Sequence, residues 1–259
     1  MRLIQITDLH LFGDHAGRLL GLSTWDSFEA VLASALEQGP PAHALVLTGD
    51  LVHDDSPRAY RDLRRTLLAT GLPCFCIPGN HDRRDLMVRG LGPLAMPRVS
   101  SRRLWSWNLI FLDSVVSGWE GGRLAADQLQ RVDAMLREDR APTMIFLHQH
   151  PSPVHSGWMD TMAVENGEDL LAICDRYPHL EAVVFGHIHQ AFEARRGHFR
   201  LLGAPSTCIQ FLPGSARFAM DERTPGYREL VLHPDGGFET RVLRIAAYPE
   251  PLMLASGGY

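Results

Sequence analysis

The sequence has few cysteines, no long apolar run and no excess of positive charge. Four cysteines are too few for a disulfide framework in 259 residues, so we expect buried, reduced thiols rather than cross-links or a thiolate metal site. No stretch approaches the roughly 20 apolar residues of a membrane-spanning helix, and the opening MRLIQITDLH is too short and too quickly polar for a signal peptide. The net charge of -5 argues against electrostatic capture of nucleic acid. We therefore expect a cytoplasmic protein without a membrane or nucleic-acid partner.

The N-terminal part of the chain alternates apolar runs with segments of helical spacing. The predicted strands are RLIQIT, ALVLTGD and PCFCIPGN, and the predicted helices between them are STWDSFEAVLASALEQG and SPRAYRDLRRTLLATG. Ser23 or Thr24 is a suitable N-cap for the first helix and Ser56 for the second, and Gly39 and Gly71 end them. Strands joined by crossover helices through short links are typical of a parallel sheet.

The rest of the chain continues this alternation and then changes. We predict strands over 102–107 and 109–112, a helix over 125–136, the strand TMIFLH, a helix over 168–176 and the strand EAVVFGH. From Gln190 onward, short alternating segments such as GHFRLLG, YRELVLH and FETRVLRI predict antiparallel strands. The chain has no repeat and no clear linker, so a single α/β domain over residues 1–259 is the simplest architecture.

Polar side chains with metal-binding chemistry follow the predicted parallel strands. They are Asp8, His10, Asp50, Asn80, His148, His187 and His189. In open parallel sheets the loops at the carboxyl edge converge on one crevice, so we expect these side chains to meet. Gly49, Gly79 and Gly186 precede ligands where the backbone must turn sharply or approach closely, and 77–80 fits a type II turn with proline second and glycine third.

The chemistry of this set points to catalytic rather than structural metal. The donors are oxygen and imidazole without cysteine, which favours manganese, iron or zinc in a catalytic role. The set is too large for one tetrahedral ion, whereas two ions that share Asp50 would use it well and would clamp a phosphoryl group. Two divalent cations, the carboxylates of Asp8 and Asp50 and one hydroxide leave a net charge of about +1, which attracts a phosphodiester monoanion.

Other polar residues are weaker candidates, and most have a structural explanation. Asp54 and Asp55 are expected to cap the helix that begins at Pro57, and Asn166 with Asp169 resembles a helix cap. Trp158 is expected either to anchor its loop or to stack on a purine. Histidines without motif context are expected to be structural or exposed, and these are His43, His179, His198 and His233.

The blocks DLH, GD, GNHD, a histidine after a strand, and GHIH resemble those of the calcineurin-like metallophosphoesterases. Longer segments closely resemble the bacterial class III 3′,5′-cyclic AMP phosphodiesterases along essentially the whole chain; they include QITDLHLF, ATGLPCFCIPGNHD, GHIHQ and PSTCIQF. The resemblance implies a four-layer α/β/β/α sandwich with a dinuclear metal site at the carboxyl ends of the strands. It is compatible with a monomer or a homodimer.

The resemblance also implies roles for individual residues. One ion would be held by Asp8, His10, Asp50 and His189, and the other by Asp50, Asn80, His148 and His187. Substrate contacts are assigned to Asn80, His81, His10 and His189. Relatives often have three histidines where this chain has His148, Gln149 and His150, which leaves the role of His150 open.

His81 and Asp82 are the expected catalytic residues outside the metal ligands. His81 is expected to face the substrate, bind its phosphate and protonate the leaving 3′-oxygen. Asp82 is expected either to orient that imidazole or to cap the helix that follows it.

The leading hypothesis is therefore a phosphodiesterase that opens 3′,5′-cyclic AMP to 5′-AMP by in-line attack of a metal-bridging hydroxide. The alternatives are a phosphodiesterase of broad specificity, acting on glycerophosphodiesters, 2′,3′-cyclic nucleotides or phosphomonoesters, and a catalytically silent nucleotide-binding protein.

Overall fold

The structure is a computed structural model, and it describes residues 1–247 and 252–253. The strands, numbered in chain order, are β1 (Arg2–Ile6), β2 (Arg18–Leu19), β3 (Leu22–Ser23), β4 (Ala44–Thr48), β5 (Cys74–Ile77), β6 (Val99–Leu104), β7 (Trp107–Leu112), β8 (Val115–Val116), β9 (Trp119–Gly122), β10 (Thr143–Leu147), β11 (Leu180–Phe185), β12 (Phe192–Arg196), β13 (Phe199–Gly203), β14 (Gln210–Phe211), β15 (Met220–Asp221), β16 (Gly226–Leu232) and β17 (Phe238–Arg244). The α-helices are α1 (Thr24–Glu37), α2 (Pro57–Ala69), α3 (Arg84–Leu91), α4 (Ala126–Glu138) and α5 (Gly167–Cys174), with short 3₁₀ turns at Gly92–Leu94 and Met159–Met162.

Two large sheets face each other. The first has the strand order β17-β16-β1-β4-β5, and the second has the order β12-β13-β11-β10-β7-β6. In the first sheet β1, β4 and β5 are parallel, and in the second β7, β10, β11 and β13 are parallel. The predicted parallel arrangement of the first three strands is confirmed. Antiparallel strands form both edges of the second sheet and one edge of the first, whose other edge is the parallel strand β5.

Three layers of apolar side chains separate four layers of secondary structure. Residues that alternate along β1 divide between cores: Leu3 lies between the two sheets, while Ile4 and Ile6 pack under the helices that cover the first sheet. On the second sheet, side chains such as Val132 of α4 and Leu170 of α5 form the third core. Alternation with period two places successive side chains on opposite faces, which builds the α/β/β/α sandwich that the family resemblance implies.

The helix caps and the cysteines agree with the sequence-based predictions. Ser23 accepts a hydrogen bond from the backbone N–H of Asp26 at the start of α1, and Ser56 caps α2, whose first residue is Pro57. All four cysteines are free thiols and buried. The two in β5 face the same core, as their alternation predicted.

Two strand predictions were wrong. The first was a strand over 102–107, where the structure has a hairpin: β6 ends at Leu104, Trp105 turns with a φ of 53°, and Trp107 begins β7. The second was purely antiparallel pairing after Gln190. β16 and β17 are antiparallel, but β13 pairs in parallel with β11 and antiparallel with β12.

Two proposed helix caps act differently. Asp54 accepts from the backbone N–H groups of Gly13 and Ser56, so it holds the loop before α2 and leaves the cap to Ser56. Asn166 is at the N-cap position of α5, but its side chain exchanges two hydrogen bonds with the backbone of Leu124, both at 2.9 Å. Asp55 lies 3.6 Å from the guanidinium of Arg83 and has a φ of 55°. Among the described residues, no helix is long and apolar enough to cross a bilayer.

Candidate metal centre

The seven predicted metal ligands, called the metal-type residues below, meet where the carboxyl ends of the parallel strands of the two sheets face each other. Asp8, Asp50 and Asn80 follow β1, β4 and β5 of the first sheet. His148 follows β10 of the second sheet, and the pair at 187 and 189 follows β11. All of them except Asn80 are buried.

The first group of donors consists of Asp8, His10 and His189, whose donor atoms all lie within 4.8 Å of one another. His189 Nε2 is 3.4 Å from Asp8 Oδ1 and 3.3 Å from His10 Nε2. Both imidazoles thus aim their Nε2 atoms at one point beside a carboxylate. This is a geometry that suits one cation.

The second group consists of Asp50, His148 and His187, again with donor atoms within 4.8 Å. His148 Nε2 is 3.3 Å from Asp50 Oδ2 and 3.0 Å from the amide oxygen of Asn80. The same Oδ2 atom of Asp50 is 3.9 Å from His10 Nε2 in the first group. Asp50 therefore stands between the two groups, at the position a bridging ligand needs.

The backbone at these donors is held in an uncommon conformation. Positive φ angles between 48° and 67° occur at Asp8, His10, Asp50, His187 and His189. Residues with a side chain adopt this region at a cost, and they persist there only when the surrounding structure fixes them. The clustering of five such residues around one point is a structural signature of a functional site.

Two glycines allow the loops to approach each other. Gly49 has a φ of 97°, and a Cβ atom there would lie 2.4 Å from His148 Nδ1. A Cβ at Gly79 would lie 2.1 Å from Asp50 Oδ1. Gly79 does not have the positive φ that a type II turn requires at its third residue, so the predicted turn type is wrong. The glycine is needed there for space beside Asp50 rather than for a left-handed turn.

Hydrogen bonds fix which nitrogen of each histidine faces the centre. His148 Nδ1 is 2.7 Å from the carbonyl oxygen of Thr48, and His189 Nδ1 is 2.8 Å from that of Ile209. A carbonyl only accepts, so each Nδ1 carries a proton, and Nε2 is the nitrogen that faces the centre. Asp8 is held in turn by the backbone N–H of His187, 3.1 Å from both carboxylate oxygens.

The charge state of the site suits cation binding. Burial, and then the neighbouring imidazoles, lower the pKa of His10 and of His187 well below the usual value, so both are neutral. Burial would raise the pKa of Asp50, but His148 and His81 hold it well below its usual value. Burial would lower the pKa of His148, yet the Asp50 carboxylate raises it to about 9. Asp50 is therefore ionised and pairs with protonated His148, and a cation that binds His148 Nε2 would displace the proton there.

One unpaired donor atom indicates that this site binds a metal ion. Within the described ranges, His187 Nε2 is buried and has no hydrogen-bond partner. Buried polar atoms are normally paired, and this one belongs to the group that surrounds Asp50. Imidazole nitrogens, carboxylates and an amide oxygen are a donor set that fits divalent transition metals.

His81 lies at the edge of the two groups. Its ring is edge-on to His10, with centroids 4.9 Å apart, and is stacked on His53, with centroids 5.1 Å apart and an interplanar angle of 20°. Its backbone N–H donates to Asp50 Oδ1 at 2.9 Å. His81 is partly exposed, so its imidazole borders the space open to a substrate.

Asp82 holds the loops that carry the ligands. Its carboxylate accepts from the N–H groups of Leu51 and Val52 after β4 and of Gly79 after β5, and from the hydroxyl of Tyr60 at 2.7 Å. Helix α3 begins after Arg83 and has no side-chain cap, so the expectation that Asp82 caps it is wrong. Burial, and then Asp50, raise the pKa of Asp82 to about 6.

Gln149 points away from the centre. Its side chain accepts from the hydroxyl of Ser114 at 2.6 Å and donates to the carbonyls of Glu120 and Gly121. His150 is buried and stacks on His187 with centroids 5.7 Å apart. Gln149 therefore supports the hairpin that carries Glu120, and His150 packs behind a metal-type ligand.

An aromatic cavity of about 220 Å³ opens beside the metal-type residues. Its lining includes Asn80, His81, Glu120, Trp158, Met159, Met162, His187, Phe211 and Phe218. Trp158 meets the two phenylalanines edge-on, with centroids 5.0 and 5.5 Å apart. Sequence reasoning found Trp158 but missed Phe211, Phe218 and Glu120, which lie in loops without a local motif. His81 also lines a second, larger cavity of about 790 Å³, whose wall includes Arg83 and Arg84.

In this chain, buried aspartates and histidines lie where the edges of two sandwiched sheets meet. This arrangement is that of a metal-dependent phosphoesterase. The chain belongs to the calcineurin-like phosphoesterase family, whose model matches residues 1–191. Divalent metal ions are implied by that membership.

Named relatives cover nearly the whole chain. A 3′,5′-cyclic-nucleotide phosphodiesterase from Nostoc sp. is 39% identical over 242 residues, which cover 93% of this chain and 91% of that protein. The 3′,5′-cyclic adenosine monophosphate phosphodiesterase CpdA of Escherichia coli K12 is 36% identical and covers 100% of this chain and 95% of its own length. The CpdA protein of Pseudomonas aeruginosa is 37% identical over 94% of this chain and 89% of its own.

Solved structures share the fold at low sequence identity. A dimetal phosphatase from Danio rerio superposes with a TM-score of 0.65 at 16% identity and covers 96% of this chain and 99% of its own. A purple acid phosphatase from yellow lupin (Lupinus luteus) gives a TM-score of 0.68 at 11% identity and covers 97% of this chain and 52% of its own. These likenesses support the four-layer sandwich.

Proposed function

We propose that this chain is a phosphodiesterase that uses two divalent transition-metal ions, iron, manganese or zinc, to open 3′,5′-cyclic AMP to 5′-AMP. The named relatives are cyclic nucleotide phosphodiesterases, and the metal-type residues suit phosphoryl chemistry. The observation that favours a nucleotide over other phosphodiesters is the aromatic cavity next to Asn80, His81 and His187.

The cavity provides what a nucleobase needs. Purines are flat and apolar on their faces, and they pack well against aromatic side chains. Trp158, Phe211 and Phe218 form such walls, and Glu120 brings an acceptor to the rim. A glycerol substituent would leave this surface largely uncovered. The base would thus occupy the cavity while the cyclic phosphate reached the donors of the metal centre.

The proposed ions divide the donors as the two groups do. Asp8, His10 and His189 would hold one ion, His148, His187 and Asn80 the other, and Asp50 would touch both. When bound, the ions would supply a water that is nucleophilic at neutral pH and positive charge beside the phosphoryl oxygens. Two divalent ions, the carboxylates of Asp8 and Asp50 and one hydroxide would give the centre a net charge of about +1, which favours a phosphodiester monoanion.

The chain's own residues would then bind the phosphate and move one proton. His10, His189 and Asn80 border the position of the phosphate, and the amide of Asn80 can donate to it. His81 would donate a proton to O3′ as the bond from phosphorus to O3′ breaks. Asp82 would act on His81 through the backbone, because it fixes the loop 79–82 and the loop after β4.

A substrate panel tests the proposal. With the metal held constant, we expect kcat/KM for 3′,5′-cyclic AMP to exceed that for 2′,3′-cyclic AMP, glycerophosphodiesters and phosphomonoesters. A preference of about a hundredfold or more for a glycerol ester would contradict it, because such a margin requires interactions outside the shared phosphate.

Trp158→Ala tests the cavity itself. We expect KM for cyclic AMP to rise about threefold to tenfold, since an aromatic contact contributes about 0.5–1.5 kcal/mol beyond area burial. A glycerophosphodiester should not respond. Trp105→Ala is the matched control, because Trp105 is 66% exposed at the β6–β7 turn. An equal change for both substrates would place the base elsewhere.

A second candidate function is a phosphodiesterase of broad specificity. The cavity of about 790 Å³ on the far side of His81 favours it, because a linear phosphodiester carries substituents on opposite sides of phosphorus. The panel decides between the two functions, since comparable kcat/KM values for cyclic and linear esters would support the broader one.

We infer a single domain over residues 1–259, located in the cytoplasm, as a monomer or homodimer without nucleic-acid or membrane partners. The acidic balance of the sequence supports the absence of a nucleic-acid partner.

A further inference from the structure

His53 contacts two residues of the site and was not among the predicted site residues. It lies three residues after Asp50, in the loop between β4 and α2. Its Nδ1 atom is 3.2 Å from His10 Nδ1, and its ring is stacked on that of His81. The three imidazoles of His10, His53 and His81 lie within 4.8 Å of one another by their ring nitrogens.

The contact with His10 has a defined direction. His10 Nε2 faces His189 and Asp50. If this nitrogen gives its lone pair to a metal ion, the proton of the neutral imidazole must be on Nδ1. That proton is donated to His53 Nδ1, which leaves the proton of neutral His53 on Nε2. His148 and His189 use backbone carbonyls for the same purpose. His10 instead relies on another side chain, which mutation can remove.

His53 is itself held firmly. Its backbone N–H donates to the carbonyl of Leu11 at 2.9 Å, and its ring packs against Phe12 with centroids 5.0 Å apart. Leu11 also pairs with Val52 as an isolated β-bridge. The segment that carries His10 and the segment that carries His53 are therefore tied together on both sides of the imidazole contact.

We propose that His53 is a positioning residue with two separable tasks: its Nδ1 atom fixes the tautomer and orientation of His10 as a metal ligand, and its ring face supports His81. It ligates no ion itself. The inference rests on the proposed metal-dependent function and extends it to a residue outside the ligand set.

Two substitutions separate the tasks. His53→Phe keeps a flat ring for His81 but removes the acceptor for His10. His53→Gln keeps an acceptor oxygen but removes the stacked ring. His233→Phe is the matched control, because the side chain of His233 is 42% exposed and its Nε2 atom lies 3.4 Å from Glu239 Oε1. Thermal unfolding of each variant identifies any that fails to fold.

The first readout is metal binding without substrate. The full chain is stripped with a chelator and titrated with Mn²⁺, and free Mn²⁺ is followed by electron paramagnetic resonance. Loss of a partner that orients a ligand typically weakens metal affinity about 10–100-fold. We expect His53→Phe to bind one of the two Mn²⁺ ions more weakly by this factor and the other with unchanged affinity. His53→Gln and His233→Phe should bind both Mn²⁺ ions with the affinity of the parent.

The second readout is turnover at saturating Mn²⁺. We expect His53→Phe to recover most of the parent kcat and His53→Gln to show a lower kcat with its metal intact. Two unchanged equivalents in His53→Phe would overturn the proposal. The proposal would also be overturned if the parent bound a third Mn²⁺ ion that His53→Phe does not bind, since His53 would then be a metal ligand. The titration is independent of which ester is cleaved, so a failed cyclic AMP assay leaves its result standing.

Discussion

His81 shows how a residue next to a proposed metal ligand can be left for substrate chemistry. It follows Asn80 directly, yet its backbone N–H is used by Asp50 and its ring lies between His10, His53 and the two cavities. An imidazole placed there is open to both cavities, and we propose that it faces the ester. Its proposed role is proton donation to a poor leaving group.

His81→Ala should therefore keep the metals and slow the chemistry. General acid catalysis typically contributes about 10²–10⁴-fold, so we expect kcat for cyclic AMP to fall by at least about a hundredfold. A nitrophenyl phosphodiester, whose leaving group needs no proton, should lose much less. Elemental analysis checks the metals, and His233→Ala is the control. Equal losses with both substrates would remove the acid role from His81.

At the scale of elements, a buried ion network connects strands of the first sheet with a helix. Arg2 of β1 forms a hydrogen-bonded ion pair with Glu229 of β16, and Arg241 of β17 donates to the other Glu229 oxygen at 2.6 Å. The Arg2 guanidinium also donates to Ala35 O and Gln38 O at the end of α1. A cation at a helix C-terminus is favourable, so this network fixes β1 and α1 together.

Glu229→Gln should destabilise the protein in a pH-dependent way. Burial would raise the pKa of Glu229, but the hydrogen bonds from Arg241 and Arg2 outweigh it and lower the pKa. Its stabilisation is therefore present above the unfolded value of 4.5 and is lost as pH falls through the lower folded value. We expect a loss of about 1–3 kcal/mol at pH 7 that shrinks below about pH 4.

Urea unfolding at several pH values measures this difference. Glu239→Gln on the neighbouring strand β17 is the control, since its side chain is 80% exposed and exposed ion pairs contribute little. A destabilisation by Glu229→Gln that is constant from pH 7 to pH 3 would show that packing, and not the ion network, is responsible.

The elements that the sequence predicted well are those whose signal is local. The apolar runs of β1, β4 and β5 and the capped helices between them carry their own pattern. The hairpin β6–β7 does not, because Trp105 and Trp107 look alike in sequence although one is 66% exposed and the other is 1% exposed. The parallel pairing of β13 with β11 and the bonds of Asn166 to Leu124 depend on distant partners.

The candidate site divides in the same way. The metal-type residues were predictable because each stands at the end of an apolar strand and parallel strands share one edge. His53 has a weaker signal, a histidine in the loop of Asp50, and could have been noted. Phe211 and Phe218 are brought to the cavity by β14 and the loop after it, and no local spacing indicates that approach.

At the scale of the whole molecule, the site is where the two halves of the sandwich meet. Asp8 and Asp50 extend from the first sheet, and His148 and His187 from the second. Gln5 crosses between the sheets nearby and donates to Thr48 and to the carbonyl of Phe185. Ligands from both halves around common ions would add cross-links that the polypeptide alone does not have.

Removal of metal should therefore lower the stability of the whole protein, and not only its activity. A ligand that binds only the folded state stabilises it by about 2.7 kcal/mol at a free concentration of a hundred times Kd. For a chain of this size that corresponds to a shift of roughly 5–10 °C in Tm. We expect the chelated protein to unfold in one transition at the lower temperature, as measured by calorimetry with and without Mn²⁺. His148→Ala should abolish most of the difference, because it removes a ligand from the second sheet, whereas His233→Ala should retain it. Equal Tm values for the loaded and chelated parent would show that the ions do not join the two halves.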